Sequence, residues 1–459
     1  MRLGRSISTA LLSWLVTCPA VSGAALPRAD SSSHNDLESI LAGHANRGDD
    51  RTSRTAAALA SRIADANNQS GPGDRSMHQA WAKIESIFNH TDRADQPDLF
   101  DYADGLVSLD LIPSDILSFL NGYLDWSINS IHNRNPAVPD AGIYPSKDPA
   151  DAPYSVAEAD LRAAIHIPES FSYGQQGKKP VILVPGTAVP AGITYHFNLG
   201  QLGHAAPEAD VVWVNIPQAS LRDAQENAEY VAYAIHYIAA LSHTSVSVIS
   251  WSQGGLDTQW ALKYWPSTRA QVEDFIAVSP DFRGTAVRSI VCPALDLLVC
   301  TPSLWQQGWE TEFIQTARAD GGDSAYVPTT TIYSTFDEIV QPQSGDDASA
   351  LLKDARSMGV SNNHLQTVCA NRPAGGIYTH EGTLYNPLTW ALAIDALTHD
   401  GPADVSRLDL DAICQQVLPE TLGLDDILGT EGILLVAVAE LLLYVPKAFK
   451  EPRIADYAA

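Results

Sequence analysis

The rhythm of apolar and polar residues changes near residue 150. Before it, apolar positions follow a helical spacing. Ile116, Leu120, Leu124, Ile128 and Ile131 recur three or four residues apart, which predicts an amphipathic helix capped at Ser114. The Ala-rich run Arg54 to Ala66 predicts another helix. Beyond residue 150, short apolar runs alternate with longer helical patterns. Pro180–Val184, Val211–Asn215, Ser245–Ile249, Phe275–Val278 and Thr329–Tyr333 read as strands. Asp223 to Leu241, the stretch through Trp260 and Tyr264, and a segment starting near Asn386 read as helices. That alternation predicts an α/β fold, with a mostly parallel central sheet flanked by helices.

Between residues 137 and 153 Pro, Asp and Ala are dense, and we place a boundary there. The expected organisation is a signal peptide (1–24), a flexible and helical N-terminal region (25–137) and a catalytic domain (138–459). Three roles stay open for the N-terminal region: a pro-segment, a cap on the body that follows, or a partner-binding helix. Ile433 to Val445 is strongly apolar but carries Glu440 and stops at Pro446. It is too short for a membrane span and reads as a core or interface-seeking helix.

The start of the chain has the form of a secretory signal. Arg2 and Arg5 precede an apolar stretch from Ile7 to Val21, followed by the small residues Ser22, Gly23, Ala24 and Ala25. Secretion changes the reading of the cysteines. Cys18 would leave with the signal; Cys292, Cys300, Cys369 and Cys414 remain, an even number for an oxidising compartment. Three pairings are open, and Cys292–Cys300 with Cys369–Cys414 closes two local loops. Asn68 and Asn89 head glycosylation triplets, a pattern that also arises by chance. The formal charge is −26, and losing Arg2 and Arg5 would make it −28. So acidic a chain repels nucleic acid and anionic membranes. No metal motif is evident, and no cofactor is expected.

One motif carries chemistry. Ser250-Trp-Ser-Gln-Gly254 lies between a strand and a helix, a variant of the G-x-S-x-G nucleophile elbow in which Ser250 replaces the first glycine. Such a bend thrusts Ser252 outward and demands small neighbours two residues away on each side. The helix behind it offers N–H groups to a developing oxyanion. Alone, the pattern could be an ordinary Ser/Gly turn. Val184-Pro-Gly-Thr187, after an earlier strand, supplies a second candidate element. Thr187 and Gln253 are then the expected oxyanion donors. A serine nucleophile needs a base, and chain order in such hydrolases is Ser, acid, His. His364, His380 and His399 follow Ser252. His380 sits in a turn-like loop, His364 in an Asn-rich stretch, and His399 at a helix end. For the acid, Asp337 follows a strand through a short turn, with Glu338 as the fallback. Asp281 reads as a polar group in the pocket wall.

These stretches resemble the Candida antarctica lipase B family of fungal lipases, of the α/β-hydrolase superfamily. The matches are Leu183–Thr187, Ser250–Gly255, Ser279–Asp281, Trp305–Gln307 and Ile332–Pro342, in the family's order, across roughly Tyr144 to Tyr457. The resemblance implies a Ser252, Asp337, His380 triad, oxyanion donors at Thr187 and Gln253, and a pocket shaped by Trp251, Asp281 and Gln307. It also implies the Cys369–Cys414 disulfide, and helices near Leu295–Trp309 and Ile433–Val445 flanking an apolar entrance. The turn Ala188-Val-Pro-Ala-Gly192 departs from the family's pattern, and the long N-terminal region is additional.

The expected function is a secreted serine hydrolase of carboxylic esters, a triacylglycerol lipase or esterase, acting as a monomer on an ester or lipid at an oil–water interface. The alternatives are a cutinase-like polyesterase, an amidase on the same triad, or a non-catalytic binding protein on a hydrolase scaffold.

Overall fold

The computed structural model describes residues 37–45, 51–68, 76–88, 99–138, 142–286 and 300–459. The signal segment, Asn89 and Cys292 lie outside them, as does the start of the expected helix at Leu295.

Among the described residues seven strands form one sheet: β1 (Ile165–His166), β2 (Lys179–Val184), β3 (Ala209–Val214), β4 (Val246–Trp251), β5 (Val272–Val278), β6 (Thr329–Tyr333) and β7 (Val360–His364). Their order is β1-β3-β2-β4-β5-β6-β7. Only β1 runs antiparallel to its neighbour. The chain winds outward from β2 to β3, then crosses back to β4. That reversal opens a crevice beyond the carboxyl ends of β2 and β4.

Alternation along each strand sends side chains to two cores. Val181, Leu183, Ile249, Trp251, Ile276 and Val278 join one cluster. Ile182, Val184, Val246, Val248, Phe275 and Ala277 join the other, beneath the helices Ala224–Ser242 and Gln253–Tyr264. Buried on both faces, these strands read as continuous apolar runs.

Among the described residues, the N-terminal region holds five helices: α1 (Leu37–Ala45), α2 (Arg51–Asn68), α3 (Met77–Phe88), α4 (Leu99–Ser108) and α5 (Ser114–Asn121). They belong to the first cluster, together with the C-terminal helix Ile433–Leu443. Residues 35–459 form one compact unit, so the stretch around residue 137 links parts that share a core. Asn68 ends α2.

The helix expected over Ile116–Ile131 is shorter. It stops at Asn121, and the chain continues as two 3-10 turns, Tyr123–Asp125 and Ser127–Asn129. The reason is on β3. The Ile128 carbonyl accepts the Trp213 indole N–H at 2.8 Å and the Asn215 amide at 2.8 Å, bonds it could not make within a helix. The expected cap also differs: Pro113 occupies that position, and Ser114 is the first helical residue. Strand β7 has no apolar run to announce it; as an edge strand it is polar, and Asn363 donates to the Thr331 carbonyl of β6.

Cys369 and Cys414 form a disulfide with a Cα–Cα distance of 5.3 Å. Cys300 is also disulfide-bonded. No helix among the described residues is long and apolar enough to cross a membrane.

Candidate active site

Ser252 stands between β4 and the helix Gln253–Tyr264, at φ 57° and ψ −132°. L-residues seldom adopt this conformation, and it is the bend the motif foretells. Close packing explains the small neighbours. A Cβ on Gly254 would lie 2.5 Å from the Val184 carbonyl oxygen, and one on Gly186 would lie 2.8 Å from Ser252 Cβ. The turn after β2 and the elbow after β4 therefore touch.

His380 arrives on the loop before the helix Pro387–Thr398. Its Nδ1 lies 2.8 Å from Asp337 Oδ2. The other Asp337 oxygen accepts the backbone N–H groups of Ile339, at 3.0 Å, and Val340, at 2.6 Å. Those bonds fix the carboxylate at the end of β6, and a fixed carboxylate selects the imidazole tautomer. Burial disfavours a charged His380. The Asp337 carboxylate outweighs it, helped by Glu338 and Asp281, and the His380 pKa rises above the ordinary value.

Ser252 and His380 line one cavity with Thr187, Trp251 and Gln307. No hydrogen bond joins the Ser252 hydroxyl to the imidazole among the described residues. Such contacts are often long without substrate and tighten in the complex. The Trp251 indole N–H donates to the His380 carbonyl at 3.0 Å, and the two rings are 4.7 Å apart. Trp251 thus holds the histidine loop as well as lining the cavity.

The Thr187 hydroxyl lies 2.6 Å from Gln253 Oε1 and 3.0 Å from Gln307 Oε1, while Gln307 Nε2 donates to Gln253 Oε1 at 2.8 Å. This amide pair fixes the Thr187 side chain. Gln253 opens its helix, where backbone N–H groups are unsatisfied by the helix itself.

Asp281, expected in the pocket wall, is not among the residues that line the cavity. It is fully buried, and neither carboxyl oxygen has a hydrogen-bond partner among the described residues. Burial raises its pKa to about 7. The other histidines are engaged elsewhere. His364 Nε2 lies 2.6 Å from Thr335 Oγ1, and His399 Nδ1 lies 3.0 Å from the Asp395 carbonyl at its helix end.

Three features escaped the sequence. Leu99 of α4 lines the cavity beside Leu434, Ala437 and Leu441 of the C-terminal helix. Nothing near Leu99 in sequence marks it as a pocket residue. The Glu338 carboxylate accepts the His380 backbone N–H at 2.9 Å, in addition to flanking Asp337. The Thr383 hydroxyl donates to the His380 carbonyl at 2.8 Å.

No family model matches the chain. It is 34% identical over 258 residues to lipase B of Pseudozyma antarctica, covering 54% of this chain and 69% of that protein. The crystal structure of Aspergillus fumigatus lipase B is 64% identical and superposes with a TM-score of 0.88, covering 92% of this chain and all of that one.

Proposed function

The chain belongs to the lipase B family of carboxylic-ester hydrolases, and from that premise we propose that it cleaves lipid esters through an acyl-enzyme on Ser252. The observation that carries the reading is the 2.8 Å contact between His380 Nδ1 and Asp337, beside a cavity that Ser252 also lines.

The cycle follows from the groups present. His380 Nε2 takes the Ser252 proton as the hydroxyl attacks the ester carbonyl. Asp337 stabilises the imidazolium that forms. The oxyanion is met by Thr187 and the Gln253 N–H. His380 then gives its proton to the departing alcohol, and water releases the acid by the same steps in reverse roles. Trp251 and Gln307 shape the space beside the nucleophile. The apolar wall from Leu99, Leu434, Ala437 and Leu441 receives an acyl chain. On this reading the N-terminal helices cover the mouth, because Leu99 belongs to α4. Secretion is supported by the Cys369–Cys414 disulfide.

The test is labelling with an active-site serine phosphonate, followed by mapping of the modified residue. Ser252 should be modified. Ser252→Ala should stay folded and unlabelled, with esterase activity down roughly 10⁴-fold or more. Label on another residue, or an active alanine variant, would end the assignment.

A further inference from the structure

Glu338 lies next to Asp337 and is fully buried. Oε2 accepts the His380 backbone N–H, while Oε1 has no donor among the described residues. Glu381, also buried, lines the cavity and interacts electrostatically with Glu338, and its own Oε2 has no donor among the described residues. Two buried carboxylates in contact stay together only if a proton lies between them. The surroundings offer little relief. Asp337, Glu431 and Tyr102 of α4 add negative or ionisable neighbours, and Tyr385 faces Glu381. None of these is a lysine or an arginine, and among the described residues the one positive neighbour is His380 when protonated.

We propose that Glu338 is a positioning residue for the catalytic histidine, and that it holds the His380 loop only while a proton is shared between Glu338 and Glu381. The proposal rests on the serine-hydrolase reading above. The order of titration fits it. Burial and the Asp337 charge raise Glu338 to about 7, whereas burial, Glu338 and Glu431 carry Glu381 well above the ordinary value. Over the range between them, Glu381 keeps the proton and donates it to an ionised Glu338. Its loss at higher pH leaves two charges in contact inside the protein. They separate, and the loop that Glu338 holds moves with them.

The bond to the His380 N–H makes the loop's register depend on Glu338, which is not among the residues lining the cavity. Trp251 and Thr383 anchor the His380 carbonyl; Glu338 anchors its N–H. Removing the last should change turnover more than substrate binding.

The experiment measures kcat and KM for a soluble ester across pH, and the rate of phosphonate labelling across pH, on the full chain. In the unmutated protein, labelling of Ser252 should slow on the alkaline side. Glu381→Gln replaces the shared proton by an amide donor that cannot be lost, and should move the alkaline limb upward by about one pH unit or more. Glu338→Ala should lower kcat on the order of 100-fold with KM little changed. Glu338→Gln, which keeps an acceptor for the N–H, should recover most of that loss. A labelling rate that stays flat into the alkaline range would overturn the proposal without any variant, and so would a Glu381→Gln limb coincident with the parent's. Failure of Ser252 to label at any pH would instead sink the serine-hydrolase reading.

Discussion

At Ser252 the backbone adopts a conformation that costs on the order of 1–3 kcal/mol. The touching turn after β2 sustains it, and the hydroxyl consequently faces the cavity. Two neighbours give separable tests. Asp337→Asn keeps the shape of the carboxylate but permits the wrong imidazole tautomer. Turnover should fall roughly 10⁴-fold, with folding little altered, read from steady-state kinetics beside a melting curve. Thr187→Val keeps the backbone N–H and removes the hydroxyl that the two glutamines hold in place. A kcat loss on the order of 100-fold, with a smaller change in KM, is expected if that hydroxyl turns to the oxyanion. A change in KM alone would assign Thr187 to binding.

Among the elements, the elbow and its preceding strand were the most legible, because strand, bend and helix each leave a local mark: an apolar run, a small residue, a helical stretch. Strands β2, β3, β4, β5 and β6 were found from the same runs, but their order in the sheet was not. Strand β7 did not, since an edge strand such as Val360–His364 needs no apolar face. The segment after Asn121 failed for another reason. Its isoleucines keep helical spacing, but the Ile128 carbonyl is claimed by Trp213 and Asn215, residues some 85 positions away. Leu99 was invisible for a similar reason. The proposed triad residues could be named from chain order, loop context and the family resemblance, whereas the Glu338 bond to His380 depends on how two distant loops meet. The C-terminal helix offers an element-level test. Tyr123 donates to Glu440 at 2.9 Å inside the first core. Burial raises Glu440 to about 7, and the tyrosine bond opposes that rise. Tyr123→Phe removes the donor and should cost about 1–3 kcal/mol. Its folded pKa then climbs further, so the cost should grow as pH rises through about 7. Chemical denaturation at acidic and at alkaline pH would show this; an equal loss at both would contradict it.

For the molecule as a whole, the buried acids set the direction of pH dependence. Asp274, Asp281, Glu338, Glu431 and Glu440 are each raised to about 7, chiefly by burial. A carboxyl whose folded pKa exceeds its unfolded one favours folding fully below the unfolded value, and loses that advantage as pH climbs to the folded value. His236 acts oppositely: burial lowers it to about 4, so its contribution holds above 6.5 and is lost as pH falls toward 4. The acids outnumber it, and the −26 formal charge adds repulsion as they ionise. Melting temperature should therefore peak on the acid side of neutrality and decline toward pH 8; a peak at or above pH 8 would contradict this balance.

The shared core between the first five helices and Ile433–Leu443 has one practical consequence. A chain shortened to begin at residue 138 would bare a greasy flank made of Leu, Val and Ala. Such a trimmed product should clump in plain buffer, cling to plastic and oil droplets, and scatter light until detergent is added. If it stays clear and monodisperse without detergent, those helices are dispensable wrapping.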